Sequence, residues 1–150
     1  MNIFYSHHTW KYGTPIEFYE MAKIMAYFSA EDQDDFTVIN PSEVLNQEQP
    51  ESDIMKDAFR FIEDCDTLVF STVSGMISHG VFNEVVYALN RGKQVYQLYG
   101  TKLYEIENIG SFMEYWVKEI IFKGNNKEYA TIYAPEEYQE VADEYYMPQS

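Results

Sequence analysis

At 150 residues the chain is long enough to bury the core of one domain, and its 14 Tyr and 10 Phe argue for a packed globular protein and against disorder. Its 25 acidic against 10 basic side chains leave a formal net charge of −15. That field repels phosphate backbones and argues against a duplex nucleic acid partner, although a free nucleoside or nucleotide can meet a local site of different sign.

Ile3-Phe4-Tyr5 opens the chain as a short strand. Thr14-Pro15-Ile16-Glu17 reads as a helix start, with Thr14 as N-cap, Pro15 at the first helical position and Glu17 as the capping-box partner. Phe18, Met21, Ala22, Met25 and Phe28 recur at helical spacing, which predicts that they form the core face. The acidic run from Glu31 to Asp35 ends that helix in solvent, and Phe36 to Ile39 is a second strand stopped by Asn40-Pro41.

A polar segment, Ser42 to Glu51, leads to a helix capped by Ser52 with Ile54, Ala58, Phe61 and Ile62 inward. The lone Cys65 reads as a small buried residue; with no second cysteine there is neither a disulfide nor a paired-cysteine metal site. Thr67-Leu68-Val69-Phe70 is apolar throughout, which suits a central parallel strand. Gly80 reads as a tight turn into a helix carrying Glu84 in its first turn and ended by Gly92, and Gln94 to Tyr99 is a fourth strand.

Beyond Gly100 the pattern weakens. A helix is expected over Phe112 to Phe122, a strand over Tyr129 to Tyr133, and an acidic, Tyr-rich helix over Pro135 to Tyr146. Alternating strands and helices predict an α/β fold: a three-layer open parallel sheet, Rossmann-like or flavodoxin-like, with helices on both faces. We expect one domain over residues 1–150, with a carboxyl-terminal extension from about 101. No secretory leader and no apolar run of about 18 residues is present, so a soluble, cytoplasmic protein is expected.

Three constellations stand where such sheets bind ligands. The first is the loop after the opening strand, where His7, His8, Trp10 and Tyr12 could stack on a planar base and hydrogen-bond a sugar, or simply cap the core. Adjacent histidines without a matching Asp, Glu or Cys cluster give no metal site. The second is Ser71 to Gly75 with His79 and Gly80: hydroxyls and backbone N–H groups beside a helix start form an anion cradle or a plain loop. The third is Glu84. In the first turn of its helix it would stay ionised in the field of the helix N-terminus, either as a simple partner of the dipole or as a nucleophile. Asn83 beside it could orient a hydroxyl or lie on the surface.

Asn83-Glu84-Val85-Val86-Tyr87-Ala88-Leu89-Asn90-Arg91-Gly92-Lys93-Gln94-Val95 resembles the nucleophile helix of nucleoside 2-deoxyribosyltransferases and of the related deoxynucleoside 5′-monophosphate N-glycosidases. Val38 to Pro41 and Ile62 to Phe70 resemble the second-strand ending and the approach to the third strand in the same group, so the likeness covers about the first 100 residues. The resemblance implies that Glu84 attacks the anomeric carbon of a (deoxy)nucleoside or nucleotide and forms a covalent sugar–enzyme intermediate, which passes to another base or to water. It implies a homo-oligomer; the aromatic residues near Tyr138, Tyr145 and Tyr146, outside the resemblance, also suit such an assembly, and no cofactor is expected. The tyrosine that assists the nucleophile falls at Phe4, so Tyr5 or Tyr12 would have to supply its hydroxyl. The family's aspartate falls at Ala58, with Asp57 one place away, a rotation of about 100 degrees on a helix. These departures also admit a relative that binds or senses a nucleotide-like ligand without cleaving it.

Overall fold

The structure, a computed structural model, describes residues 1–30, 35–73, 77–115 and 132–133. β1 (Asn2–Ser6) leads through a 3-10 turn (Thr9–Lys11) into α1 (Pro15–Ala30), then β2 (Thr37–Ile39), a short α2 (Pro41–Val44) and α3 (Glu51–Glu63). β3 (Thr67–Phe70), β4 (Ile77–Ser78), α4 (His79–Asn90), β5 (Gln94–Tyr99), β6 (Lys102–Ile106), α5 (Ile109–Tyr115) and β7 (Ile132–Tyr133) follow.

The main sheet has the order β2-β1-β3-β5-β6. β2, β1, β3 and β5 run parallel, and β6 closes the edge antiparallel to β5. Helices cover both faces, so the fold is the expected three-layer α/β sheet. From β1 the chain first moves outward to β2 and then crosses back to β3. The carboxyl ends of β1 and β3 therefore flank the point where the winding direction reverses, the place where ligands lie in such sheets.

Alternation along β1 decides which side chain serves which face. Ile3 and Tyr5 pack with Ile24 and Phe28 of α1. Phe4 packs with Ala58 and Ile62 of α3 and with Val81, Val85 and Ala88 of α4. Ser6, two residues beyond Phe4, thus faces α4. β3 is buried along its whole length, as expected of a central strand.

Four expectations need correction. The inward stripe of α1 is not the one its apolar spacing suggests. Phe18 is 74% exposed and Met25 47%, while Glu17, Ile24 and Phe28 are buried. The helix is turned by polar partners: Glu17 and Glu20 reach inward to side chains of the preceding loop, and the apolar residues between them go to the surface. The second correction is β6, unforeseen, which pairs with β5 through a turn at Gly100, where φ is +64° and glycine avoids the steric cost. Third, α3 starts at Glu51 after Pro50, so Ser52 lies inside the helix and is not its cap. Fourth, Gly80 is not a tight turn. Ser78 is the N-cap of α4, its Oγ accepting from the Val81 N–H at 3.2 Å, and Gly80 is the second helical residue.

Gly92 does end α4, at a φ of +73°. α5 begins at Ile109, earlier than expected, and the rest of the predicted helix to Phe122 lies outside the described residues, as do Tyr129 to Thr131, Pro135 to Tyr146 and the acidic run Glu31 to Asp34. Ile132–Tyr133 pairs antiparallel with β4. Among the described residues no helix is long and apolar enough to cross a membrane.

Candidate functional site

Ser71 N–H donates to the Ser6 carbonyl at 3.1 Å, extending the β1–β3 pairing and setting the floor of the switch point. Onto this floor α4 brings Glu84, whose carboxylate Oε1 accepts the Ser6 hydroxyl at 2.6 Å. Because α4 starts at His79, Glu84 is its sixth residue, beyond the first turn where the macrodipole acts. The expectation that the helix N-terminus keeps Glu84 ionised is therefore overturned. Glu84 is only 8% exposed, and burial pushes its carboxyl up to about 7, against the opposing hydrogen bond from Ser6. Near neutral pH it divides between acid and carboxylate, the poise of a group that can bear or lose a charge during a reaction.

Tyr12 lies within electrostatic reach of this group. Its ring meets the His7 ring at 4.9 Å, and its phenol is pushed upward by burial and then by the negative charges of Glu84 and Glu17. His7 is stacked on Tyr5 at 3.7 Å and places Nε2 2.6 Å from Glu17 Oε2, with Nδ1 3.0 Å from the Tyr5 carbonyl. Burial lowers the His7 pKa, and its hydrogen bonds to Glu17 and to the Tyr5 carbonyl act the other way. Burial alone would raise Glu17, but the hydrogen bonds from His7, the Gly13 N–H and Ser42 outweigh it and hold its carboxyl below the ordinary range. Glu17 Oε1 accepts from Gly13 N–H, so the expected capping box is displaced by one residue from Thr14, whose Oγ1 accepts from Glu17 N–H at 3.4 Å.

His8 caps the 3-10 turn: its Nδ1 accepts from the Trp10 N–H at 2.9 Å, which puts the proton on Nε2. Burial, with Lys11 and His7 adding to it, lowers its pKa to about 4 and keeps the ring neutral. Trp10 packs against His8 with ring centroids 4.2 Å apart.

A second polar cluster lies on the α1 face of the sheet. Glu20 Oε1 accepts the Tyr5 hydroxyl at 2.5 Å and the Ser71 hydroxyl at 2.6 Å. Lys11 Nζ donates to Glu20 Oε2 at 2.8 Å, to Ser71 Oγ at 2.9 Å and to the Thr72 carbonyl at 2.7 Å. All three ammonium protons are thereby used, which is what a buried lysine requires. This cluster ties the loop after β1 to α1 and to the end of β3.

The residues expected to act together are thus divided. Tyr12 feels the charge of Glu84, whereas His7 stacks on Tyr5 and bonds to Glu17 and reaches Glu84 only through its ring contact with Tyr12. Tyr5 points to the opposite face of the sheet, where its hydroxyl is held by Glu20, so Ser6 and not Tyr5 gives Glu84 a hydroxyl partner. Asp57 accepts from Gln49 at 2.8 Å and from Arg60 at 3.3 Å at the surface of α3, while Ala58 takes the core-facing position. The Ser71 hydroxyl belongs to the Glu20–Lys11 cluster, which corrects its place in an anion cradle. His79 is exposed at the start of α4, where its Nε2 lies 3.1 Å from the Asn83 amide nitrogen. Gly80 has room for ordinary contacts with Met55 and Ser78, and Gly75 lies outside the described residues.

Sequence reasoning missed Ser6, Glu17, Glu20 and Lys11. The alternation of β1 carries the signal for Ser6, since the Phe4 face continues to it. Two carboxylates three residues apart in an otherwise apolar helix, opposite a His- and Lys-bearing loop, carry the signal for Glu17 and Glu20. Among the described residues no group of three or more His, Cys, Asp or Glu side chains is arranged to hold a metal ion.

No family model and no curated protein matches the chain. Among solved structures, a CMP N-glycosidase from Clostridium botulinum is similar, with 15% sequence identity and a TM-score of 0.41, over 65% of this chain and 70% of that one.

Proposed function

We propose that the chain breaks or transfers the N-glycosidic bond of a (deoxy)nucleoside or nucleotide, with Glu84 as the nucleophile. The observation that carries this reading is the Glu84 carboxylate itself: buried, hydrogen-bonded by Ser6, poised near neutrality and within electrostatic reach of the Tyr12 phenol at the switch point of the sheet. The resemblance of residues 83–95 to a nucleophile helix agrees with it. A carboxylate held next to the sugar would form a bond to the anomeric carbon as the bond to the base nitrogen breaks, the electron pair leaving with the base. In hydrolysis, water then gives its hydroxyl to the anomeric carbon and its remaining proton to the base, and Glu84 is released as carboxylate. In transfer, a second base takes the place of water. His7 and Tyr12 would line the sugar and base, and Glu17 would hold His7 in place.

Incubation with purine and pyrimidine deoxynucleosides and their 5′-monophosphates, followed by chromatography of free base, tests this reading. Released or exchanged base that is lost in Glu84→Gln supports it; no base from any of them ends it.

A second reading, binding or sensing of a nucleotide-like ligand without turnover, is favoured by one observation. Tyr5 and Asp57, the residues that would stand in for the family's tyrosine and aspartate, are engaged away from Glu84. Ligand-induced thermal stabilisation with no base release would decide for it.

A further inference from the structure

The two oxygens of Glu84 are not equivalent. Oε1 is tied to the Ser6 hydroxyl at 2.6 Å. Oε2 has no hydrogen-bond partner among the described residues, and Glu84 as a whole keeps 8% of its surface exposed. Ser6 is itself fully buried and its backbone is fixed between neighbours: it pairs with Phe70 in the β1–β3 register, and its carbonyl accepts from Ser71. A hydroxyl mounted on a central strand is a rigid anchor, and it is short, so it fixes the carboxylate plane more tightly than a long side chain would.

We propose that Ser6 is a positioning residue that holds Oε1 and thereby presents Oε2 as the oxygen that attacks the anomeric carbon, an assignment that rests on Glu84 being the nucleophile. In the step, the Oε2–carbon bond forms while the carbon–nitrogen bond breaks and the base departs with the electron pair. Oε1 becomes the carbonyl oxygen of the resulting ester and keeps its hydrogen bond. The Ser6 proton stays on its own oxygen throughout. The hydroxyl also opposes the effect of burial, because a donor to the charged form favours ionisation. Its loss should leave Glu84 protonated over a wider pH range.

The test compares wild type, Ser6→Ala and Ser6→Thr by two readouts. The first needs no turnover: infrared difference titration of the buried carboxyl, with Glu84→Gln as the blank. The second is the pH dependence of base release. In Ser6→Ala the Glu84 midpoint should rise by roughly one to two pH units. The rate at neutral pH should fall by more than about tenfold; raising the pH should recover the part due to ionisation and leave a deficit of roughly severalfold from the lost positioning. Ser6→Thr, which keeps the hydroxyl, should resemble wild type. An unchanged midpoint in Ser6→Ala overturns the proposal, as does a Ser6→Thr protein that matches Ser6→Ala in midpoint and rate, since that marks a packing role. A midpoint that moves in proteins that release no base from any deoxynucleoside keeps the anchor but removes the reaction it was to serve.

Discussion

Ser6 and Glu84 lie 78 positions apart in the chain and meet at 2.6 Å, one at the end of the first strand and the other in the second turn of α4. The contact exists because β1 alternates. Phe4 packs under α3 and α4, and two residues later the same face delivers a hydroxyl where the sheet ends. Removing the carboxylate while keeping its shape should stop the chemistry. Glu84→Gln is expected to lose at least about a thousandfold in base release, read by chromatography under single-turnover conditions.

The same substitution should affect stability in a pH-dependent way. The folded carboxyl of Glu84 is raised to about 7, so its contribution to stability is fully present below the ordinary carboxylate range and is lost as pH rises through about 7. Above that, the native state holds a buried charge. Glu84→Gln should therefore be more stable than wild type by on the order of 3 kcal/mol at about pH 9, with little difference at about pH 4. Urea unfolding at the two pH values checks it.

Tyr5 and Tyr12 should separate cleanly. Tyr5→Phe removes a donor to Glu20 on the α1 face, and is expected to cost about 1–2 kcal/mol of stability while leaving the pH dependence of Glu84 in place. Tyr12→Phe removes the phenol that feels the charge of Glu84. It should lower kcat/KM by about tenfold or more with a smaller effect on unfolding. Paired kinetics and denaturation on both variants read the difference.

Asp57 gives a prediction of no effect. Its ion pair with Arg60 is exposed and its other partner is Gln49. Asp57→Ala should change base release less than about twofold and stability by about 0.5 kcal/mol or less, measured in the same assays.

The layout of the fold was legible because its signals are local. The apolar run of β3, the glycine stop after α4 and the alternation of strands with helices each depend on neighbouring residues. The site was legible only in part. Glu84 stood out through its helix, but where that helix starts depended on Ser78 and not on Gly80, and that shift moved Glu84 from a dipole-stabilised first turn into a desolvated second turn. The face of α1 was misread for a related reason. Apolar spacing treats Phe18 as core, whereas the buried partners His7, Lys11, Tyr5 and Ser71 turn Glu17 and Glu20 inward. Long-range polar pairing of this kind leaves little trace in periodicity, and hydrogen bonds across 60 or more positions leave none.

The most direct test is to trap the intermediate. Wild-type protein is quenched within a turnover of a deoxynucleoside, digested, and its peptides analysed by mass spectrometry. A sugar adduct on the peptide carrying Glu84, absent when Glu84 is replaced by Gln, is the expected result. Base released with no adduct at Glu84, or an adduct on another side chain, would contradict the account.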